Sequence, residues 1–102
     1  MSAKYGYYNK AKLVARSYRK MHRGNALTRR EQEEKEAVER AVEWMEKEQD
    51  GEAKAKLIKA MYYKGRSMTQ AAMSSGYSYD GAGPVHRRFI YKLAEYLGYV
   101  ND

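Results

Sequence analysis

The sequence predicts an all-α domain of about five helices that ends in a helix-turn-helix. Apolar residues recur at helical spacing in successive segments, and glycines follow several of them as stop signals. Two Ser/Thr capping boxes, Thr28 with Glu31 and Ser67 with Gln70, mark helix starts. At 102 residues the chain has the length of one domain. We divide it into a basic helix in 1–26, an acidic helix in 27–50 and a helix-turn-helix part in 51–102.

The first predicted helix runs from about Asn9 to Arg23, after a short lead-in that contains three tyrosines. One side carries Leu13, Val14, Ser17, Tyr18 and Met21. The other side stacks four cations, Lys12, Arg16, Arg19 and Arg23. These cations could contact phosphates, or they could form a solvated face that pairs with the acidic segment, and the sequence leaves both interpretations open.

The second predicted helix begins at Thr28 and runs to about Gln49, with four glutamates in its first half. Val38, Val42 and Met45 form an apolar row along it. The row spans too few heptads for a coiled coil, so the pattern favours packing within one chain over a dimer seam.

The net charge of +7 is unevenly distributed. Residues 1–30 carry nine Lys and Arg and no acid, 31–52 carry three against ten acids, and 53–102 carry eight against three. A polyanion would be attracted by the two ends and repelled by the middle, so we expect the acidic helix to face away from any nucleic acid.

Three helices are predicted in the last half of the chain. The first spans about Glu52 to Lys64, with Asp50 as its expected cap and Gly65 at its end. Ser67 starts a short helix that Gly76 ends, and the chain turns at 76–78. Pro84 suits a first helical position, so the last helix is predicted from Pro84 to about Leu97.

The last helix has an aliphatic stripe and a basic outer face. Val85, Phe89, Leu93 and Leu97 share the stripe, and Arg87 and Tyr91 lie opposite it, flanked by Arg88 and Lys92. His86 falls on the stripe's side, which favours a half-buried, hydrogen-bonded role over contact with a base. A helix of this kind suits the major groove, because Arg can bond guanine in two places.

The segment KGRSMTQAAMSSGYS, followed by VHRRFIYKLAEYLGY, resembles the C-terminal part of the ArpU-type phage transcriptional regulators. That family is itself similar to region four of primary sigma factors. The resemblance implies a small DNA-binding regulator of phage or prophage genes with Arg87, Arg88, Tyr91 and Lys92 on its recognition helix. One departure is that residues 79–83 separate the turn serine from the predicted helix start, whereas the family enters the helix almost at once.

Double-stranded DNA is therefore the expected partner. Thr69, Gln70, Ser78 and Tyr79 would hold phosphates, and Arg87, Arg88, Tyr91 and Lys92 would read bases or nearby phosphates. An alternative is a DNA-binding assembly component such as a phage small terminase subunit, and a third is a protein-only interaction module. The sequence leaves open whether RNA polymerase or a second copy of the chain is a further partner.

Other classes of function find little support in the composition. The absence of Cys removes disulfides and thiolate metal sites, and two scattered His do not make a ligand set, so we expect no metal and no cofactor. The sequence has no nucleophile and base in a reactive arrangement, and we expect no enzyme. Since no signal peptide or membrane-length apolar run is evident, we expect a location in the cytoplasm of a bacterial host.

Overall fold

The chain folds into helices joined by short connections. The computed structural model describes residues 3–24 and 26–99, with side chains from Gly6 onward. The helices are α1 (Ala3–Arg16), α2 (Tyr18–Arg23), α3 (Arg29–Glu46), α4 (Gly51–Tyr62), α5 (Met68–Ser75) and α6 (Tyr79–Tyr96). These described ranges contain no strand, which confirms the all-α prediction.

The predicted first helix is divided at Ser17 into α1 and α2. Hydrogen bonds still cross the division, from Ser17 N to Leu13 O at 3.2 Å and from Met21 N to Ser17 O at 3.0 Å. The Ser17 hydroxyl also donates to Leu13 O at 3.1 Å, a back-bond that commonly bends helices. The two segments therefore correspond to the single helix that was expected, with a local irregularity.

The start and the buried face of α1 differ from the prediction. The helix begins at Ala3, so Tyr7 and Tyr8 are helical and not part of a lead-in. Leu13 was expected inside and is 61% exposed, because α1 packs through Ala11 and Ala15, both fully buried. Alanines let two helix backbones approach closely, and this approach turns Leu13 outward.

Both predicted capping boxes are present. In α3, Glu31 N donates to Thr28 Oγ1 at 3.1 Å and Thr28 N donates to Glu31 Oε1 at 3.0 Å. In α5, Ser67 and Gln70 exchange the same pair of bonds at 3.2 Å each. Gly76 ends α5 with φ of +85°, the left-handed conformation that glycine adopts without strain. The boundaries of α5 are thus confirmed.

The turn between α3 and α4 does not use the predicted cap. Asp50 has φ of +57° and makes no side-chain capping bond, and α4 starts at Gly51. A Cβ atom at residue 51 would lie 2.1 Å from the Glu46 carbonyl oxygen. The tight turn therefore depends on Gly51, and Asp50 contributes a left-handed backbone in place of a side-chain cap.

Helix α6 begins five residues earlier than predicted, at Tyr79, with Pro84 inside it. The reason is Ser78, whose Oγ accepts from Gly81 N at 3.0 Å and caps the helix directly after the turn. Proline disfavours helical geometry in the preceding residue partly through that residue's Cβ, which Gly83 lacks. Residues 79–83 thus form the N-terminal end of α6, and the connection between α5 and α6 consists only of residues 76–78.

Helix α6 forms the centre of the core and contacts α1, α3, α4 and α5. Its predicted stripe is buried at Val85, Phe89 and Leu93, whereas Leu97, the residue that follows α6, is half-buried. The largest fully buried side chains of the described chain are Phe89, Met45, Leu57, Ile58, Ile90, Leu93 and Val38. Because the row on α3 lies inside this core, its packing within one chain is confirmed.

Candidate nucleic-acid interface

The two halves of α6 lie in different surroundings. In the C-terminal half, Ile90 and Ala94 are fully buried, Tyr91 contacts Tyr8 of α1, and Lys92 lies over Trp44 of α3. In the N-terminal half, Tyr79 is 61% exposed and Pro84 and Arg87 are also exposed. The part of α6 that is accessible to a large ligand is therefore its first two to three turns, next to the turn after α5.

Arg87 and Tyr91 lie on the outer side of α6, as predicted. The Arg87 side chain is exposed. Tyr91 is half-buried because α1 passes beside it, and its ring meets the Tyr8 ring edge-on with centroids 5.6 Å apart. Arg87 thus lies at the accessible end of the predicted reading face and Tyr91 at the border with α1.

Arg88 and Lys92 lie on the side of α6 that faces α3. The Arg88 guanidinium pairs with Glu48 and lies 5.5 Å from the centre of the Trp44 ring. Lys92 Nζ lies 4.9 Å from the same ring and 3.0 Å from Glu95 Oε1. These contacts hold both cations against α3, so in this conformation they connect two helices of the protein.

The environment of Glu48 strengthens this connection. Burial opposes its ionisation, but hydrogen bonds from Arg88 and Lys54 outweigh burial and lower the pKa of the Glu48 carboxyl. A carboxylate held in the charged form by two cations keeps Arg88 oriented toward α3.

The four predicted phosphate contacts around the turn are all exposed. Thr69 lies in the first turn of α5, where helix amides point outward, and its side chain is exposed. The Gln70 side chain accepts from the Ser67 amide N–H and is used as a cap. Ser78 Oγ accepts from Gly81 N and can still donate its own hydrogen to an oxygen ligand. The cap of α5 uses only the amide oxygen of Gln70, so Thr69, Gln70, Ser78 and Tyr79 all keep donors for phosphate.

Three of the four predicted basic residues of the first helix line one cleft. The basic cleft, as we name it, has a volume of about 410 Å³ and includes Lys12, Arg16, Arg19, Tyr62, Gly65, Arg66, Ser67 and His86. Arg23 is not among its lining residues. In the described chain none of these four predicted cations forms an ion pair with the acidic helix, which contacts α2 through a 2.7 Å hydrogen bond from Tyr18 Oη to Glu39 Oε2. The expected alternative, pairing with the acidic segment, is not observed.

His86 closes the floor of the basic cleft. It is only 3% exposed, more buried than predicted, and its Nε2 hydrogen-bonds to the Tyr62 hydroxyl while Nδ1 lies 3.4 Å from the Tyr8 hydroxyl. Burial above all, together with the nearby cations Lys12, Arg16 and Arg87, lowers the pKa of His86 to about 4. The imidazole is therefore neutral near pH 7.

Two members of this region were not singled out from the sequence. Arg66 directly precedes the Ser67 cap of α5 and lines the basic cleft. Tyr8 had been assigned to the lead-in, although it is helical and contacts both His86 and Tyr91. The position of Arg66 next to the capping box of α5 could have pointed to it. No nearby sequence feature predicted the contacts of Tyr8, because its partners His86 and Tyr91 lie far away in the chain.

Among the residues that the structure describes, no group of three or more His, Cys, Asp and Glu is arranged to hold a metal ion. No helix in those same ranges has the length and apolar character needed to cross a membrane.

Comparison with family models, with curated proteins and with solved structures found no match to this chain.

Proposed function

We propose that the chain binds double-stranded DNA through the helix-turn-helix α5–α6, with the first turns of α6 in the major groove. The observation that carries this proposal is the way α5 connects to α6. Eight residues of α5 end at a left-handed Gly76, and Ser78 caps α6 without any intervening loop. A short helix, a three-residue turn with glycine and a longer second helix form the arrangement that docks in the major groove.

Residues 79–83, which we expected between the turn and the recognition helix, belong to α6, so the helix follows the turn serine directly. The exposed residues of its N-terminal half include Tyr79 at its start and Arg87 near its middle. We propose Arg87 as the principal base reader, because its exposed side chain lies on the outer face of α6, and Tyr79 as a phosphate or base-edge contact at the start of the helix.

Arg88 and Lys92 have a different role in this proposal. Their contacts with Trp44 and Glu48 hold α3 against α6 and fix the orientation of the recognition helix. Arg87 and Arg88 are neighbours in the chain, yet helical geometry directs them to different surfaces. Substitution of each residue therefore compares a proposed base contact, Arg87, with a residue that holds α3 against α6, Arg88.

Regulation of phage or prophage genes is the biological role that we propose, on the basis of the resemblance. The alternative, an assembly component such as a small terminase subunit, also needs DNA binding but adds a ring of subunits. Sedimentation equilibrium distinguishes the two, because a monomer or dimer supports a regulator and a closed ring supports the packaging role.

Selection of bound sites from a random duplex pool tests the proposal. We expect recovery of one motif that Arg87→Ala degrades at a single base position and that Arg88→Ala leaves intact. The spacing of any repeated half-sites would show the symmetry of the bound form. Failure to retain any duplex at low salt, by a folded protein, would contradict the proposal and favour a protein-only module.

A further inference from the structure

The basic cleft contains an uncompensated concentration of positive charge. Lys12, Arg16 and Arg19 line it from α1 and α2, and Arg66 lines it from the connection between α4 and α5, where it also borders a second pocket that contains Glu46 and Glu52. The residues that line the basic cleft include no Asp or Glu. In the described part of the chain, none of these four cations takes part in an ion pair. Such repulsion disfavours the compact protein until an anion relieves it.

The backbone is shaped to keep Arg19 at this cleft. Gly65 has φ of +74°, and a Cβ atom there would lie 2.3 Å from Arg19 Nη1. The guanidinium thus lies directly over a residue that has no side chain. A larger residue at position 65 would displace Arg19 from the cleft as well as strain the backbone.

The floor of the cleft is polar and neutral. The hydroxyl of Tyr62 and the imidazole of His86 are bonded to each other there. Burial first, and then the cations Lys12 and Arg16, keep the pKa of His86 near 4. The floor therefore adds no positive charge of its own, and the arginines and the lysine supply the attraction for a ligand.

We propose that the basic cleft binds one phosphate group, and that in the complex this group belongs to the DNA backbone beside the helix-turn-helix. Guanidinium groups match phosphate oxygens in pairs of hydrogen bonds, which suits Arg16, Arg19 and Arg66. The assignment of this phosphate to DNA rests on the proposed function, whereas binding of a phosphate group by the basic cleft does not. In this arrangement α1 is part of the DNA interface although it lies outside the helix-turn-helix.

Thermal unfolding with inorganic phosphate tests the chemistry. Sodium phosphate should raise the Tm by a few degrees over sodium chloride at equal ionic strength, because the anion binds the folded state. Arg16→Gln with Arg66→Gln should abolish this rise. The matched control is Arg29→Gln with Arg30→Gln, which removes two exposed arginines that are paired with Glu33 and Glu34 and should keep the rise.

Titration of duplex DNA over a range of salt concentrations tests the source. For the Arg16/Arg66 variant we expect equal loss of affinity for selected and scrambled duplexes, and a decrease of about 0.9 in the slope of log K against log salt for one lost phosphate contact. The control variant should keep the slope, and Arg16→Lys with Arg66→Lys should restore it because charge is retained.

The outcomes separate this inference from the proposed function. If phosphate stabilises the cleft variant as much as the original chain, the phosphate site is refuted, even when Arg87→Ala still weakens DNA binding. If phosphate and AMP stabilise only proteins with an intact cleft but the salt slope does not change, the site binds a free phosphate ester and its assignment to DNA is wrong. If duplex DNA does not bind at all while the cleft-dependent rise persists, the proposed function fails and the phosphate site stands.

Discussion

Acidification below about pH 6.5 should destabilise the protein, because the buried His86 stays neutral in the folded state. The imidazole is 3% exposed and hydrogen-bonds to Tyr62. Burial, and secondarily nearby cations, lower its pKa from 6.5 to about 4 in the folded state. In the unfolded chain the group should titrate near its ordinary value. Below that value the unfolded state binds a proton that the folded state does not, so stability falls as the pH falls.

The size of the effect follows from the two pKa values. The full difference between about 4 and 6.5 corresponds to about 3 kcal/mol, lost progressively as the pH decreases through this window. At about pH 5 the free energy of unfolding should be about 2 kcal/mol lower than at about pH 7.5. Glu39 and Glu48 have lowered pKa values, so their contributions are lost only at more acidic pH.

Urea unfolding at several pH values between about 5 and 7.5 measures this dependence. His86→Gln should remove most of the slope. His86→Gln will also lower the free energy of unfolding at neutral pH if the Gln amide cannot hydrogen-bond to the Tyr62 hydroxyl. This loss is the same at every pH, so it does not alter the slope. A flat profile for the original chain above pH 5 would refute the buried, neutral state of His86.

Three substitutions test the packing and the helix boundaries. Phe89→Ala should cost about 3 to 5 kcal/mol, because the ring is fully buried, and urea unfolding at neutral pH should show a largely unfolded protein. Pro84→Ala should stabilise the fold by about 1 to 3 kcal/mol, since it restores a donor toward the Asp80 carbonyl inside α6; a loss of stability would instead place the helix start at Pro84. Gly51→Ala should cost about 2 to 3 kcal/mol through its clash with the Glu46 carbonyl, and an unchanged urea midpoint would contradict the tight turn.

Local sequence signals predicted most of the helical framework. The capping boxes at Thr28 and Ser67 and the glycine at Gly76 act within a few residues, so their outcome depends little on the rest of the fold. Pro84 misled the prediction because proline suits a helix start in isolation. Ser78 offered a competing cap, and its position directly after the turn decided where α6 begins.

The distribution of the site residues depended on packing between distant segments. The period of α6 separated the face of Arg87 from that of His86, which needs only helical geometry. Helical geometry could not show that Trp44 of α3 and Glu48, just after α3, would lie beside Arg88, which is forty residues from Glu48 in the chain. The basic cleft likewise forms only when α1 and α2 are brought together with the connection between α4 and α5, so Arg66 joined the predicted cations through tertiary structure.

The most direct test of the account is a titration of Arg87→Ala and Arg88→Ala against a selected duplex and a scrambled duplex at one fixed salt concentration. We predict that Arg87→Ala weakens binding to the selected duplex by about 1 to 3 kcal/mol and barely changes binding to the scrambled one, because a base contact is lost. Arg88→Ala should change the ratio of the two affinities little, because its guanidinium contacts Glu48 and Trp44. If both variants are folded, and Arg88→Ala loses the preference for the selected duplex while Arg87→Ala keeps it, the proposed reading face of α6 is contradicted.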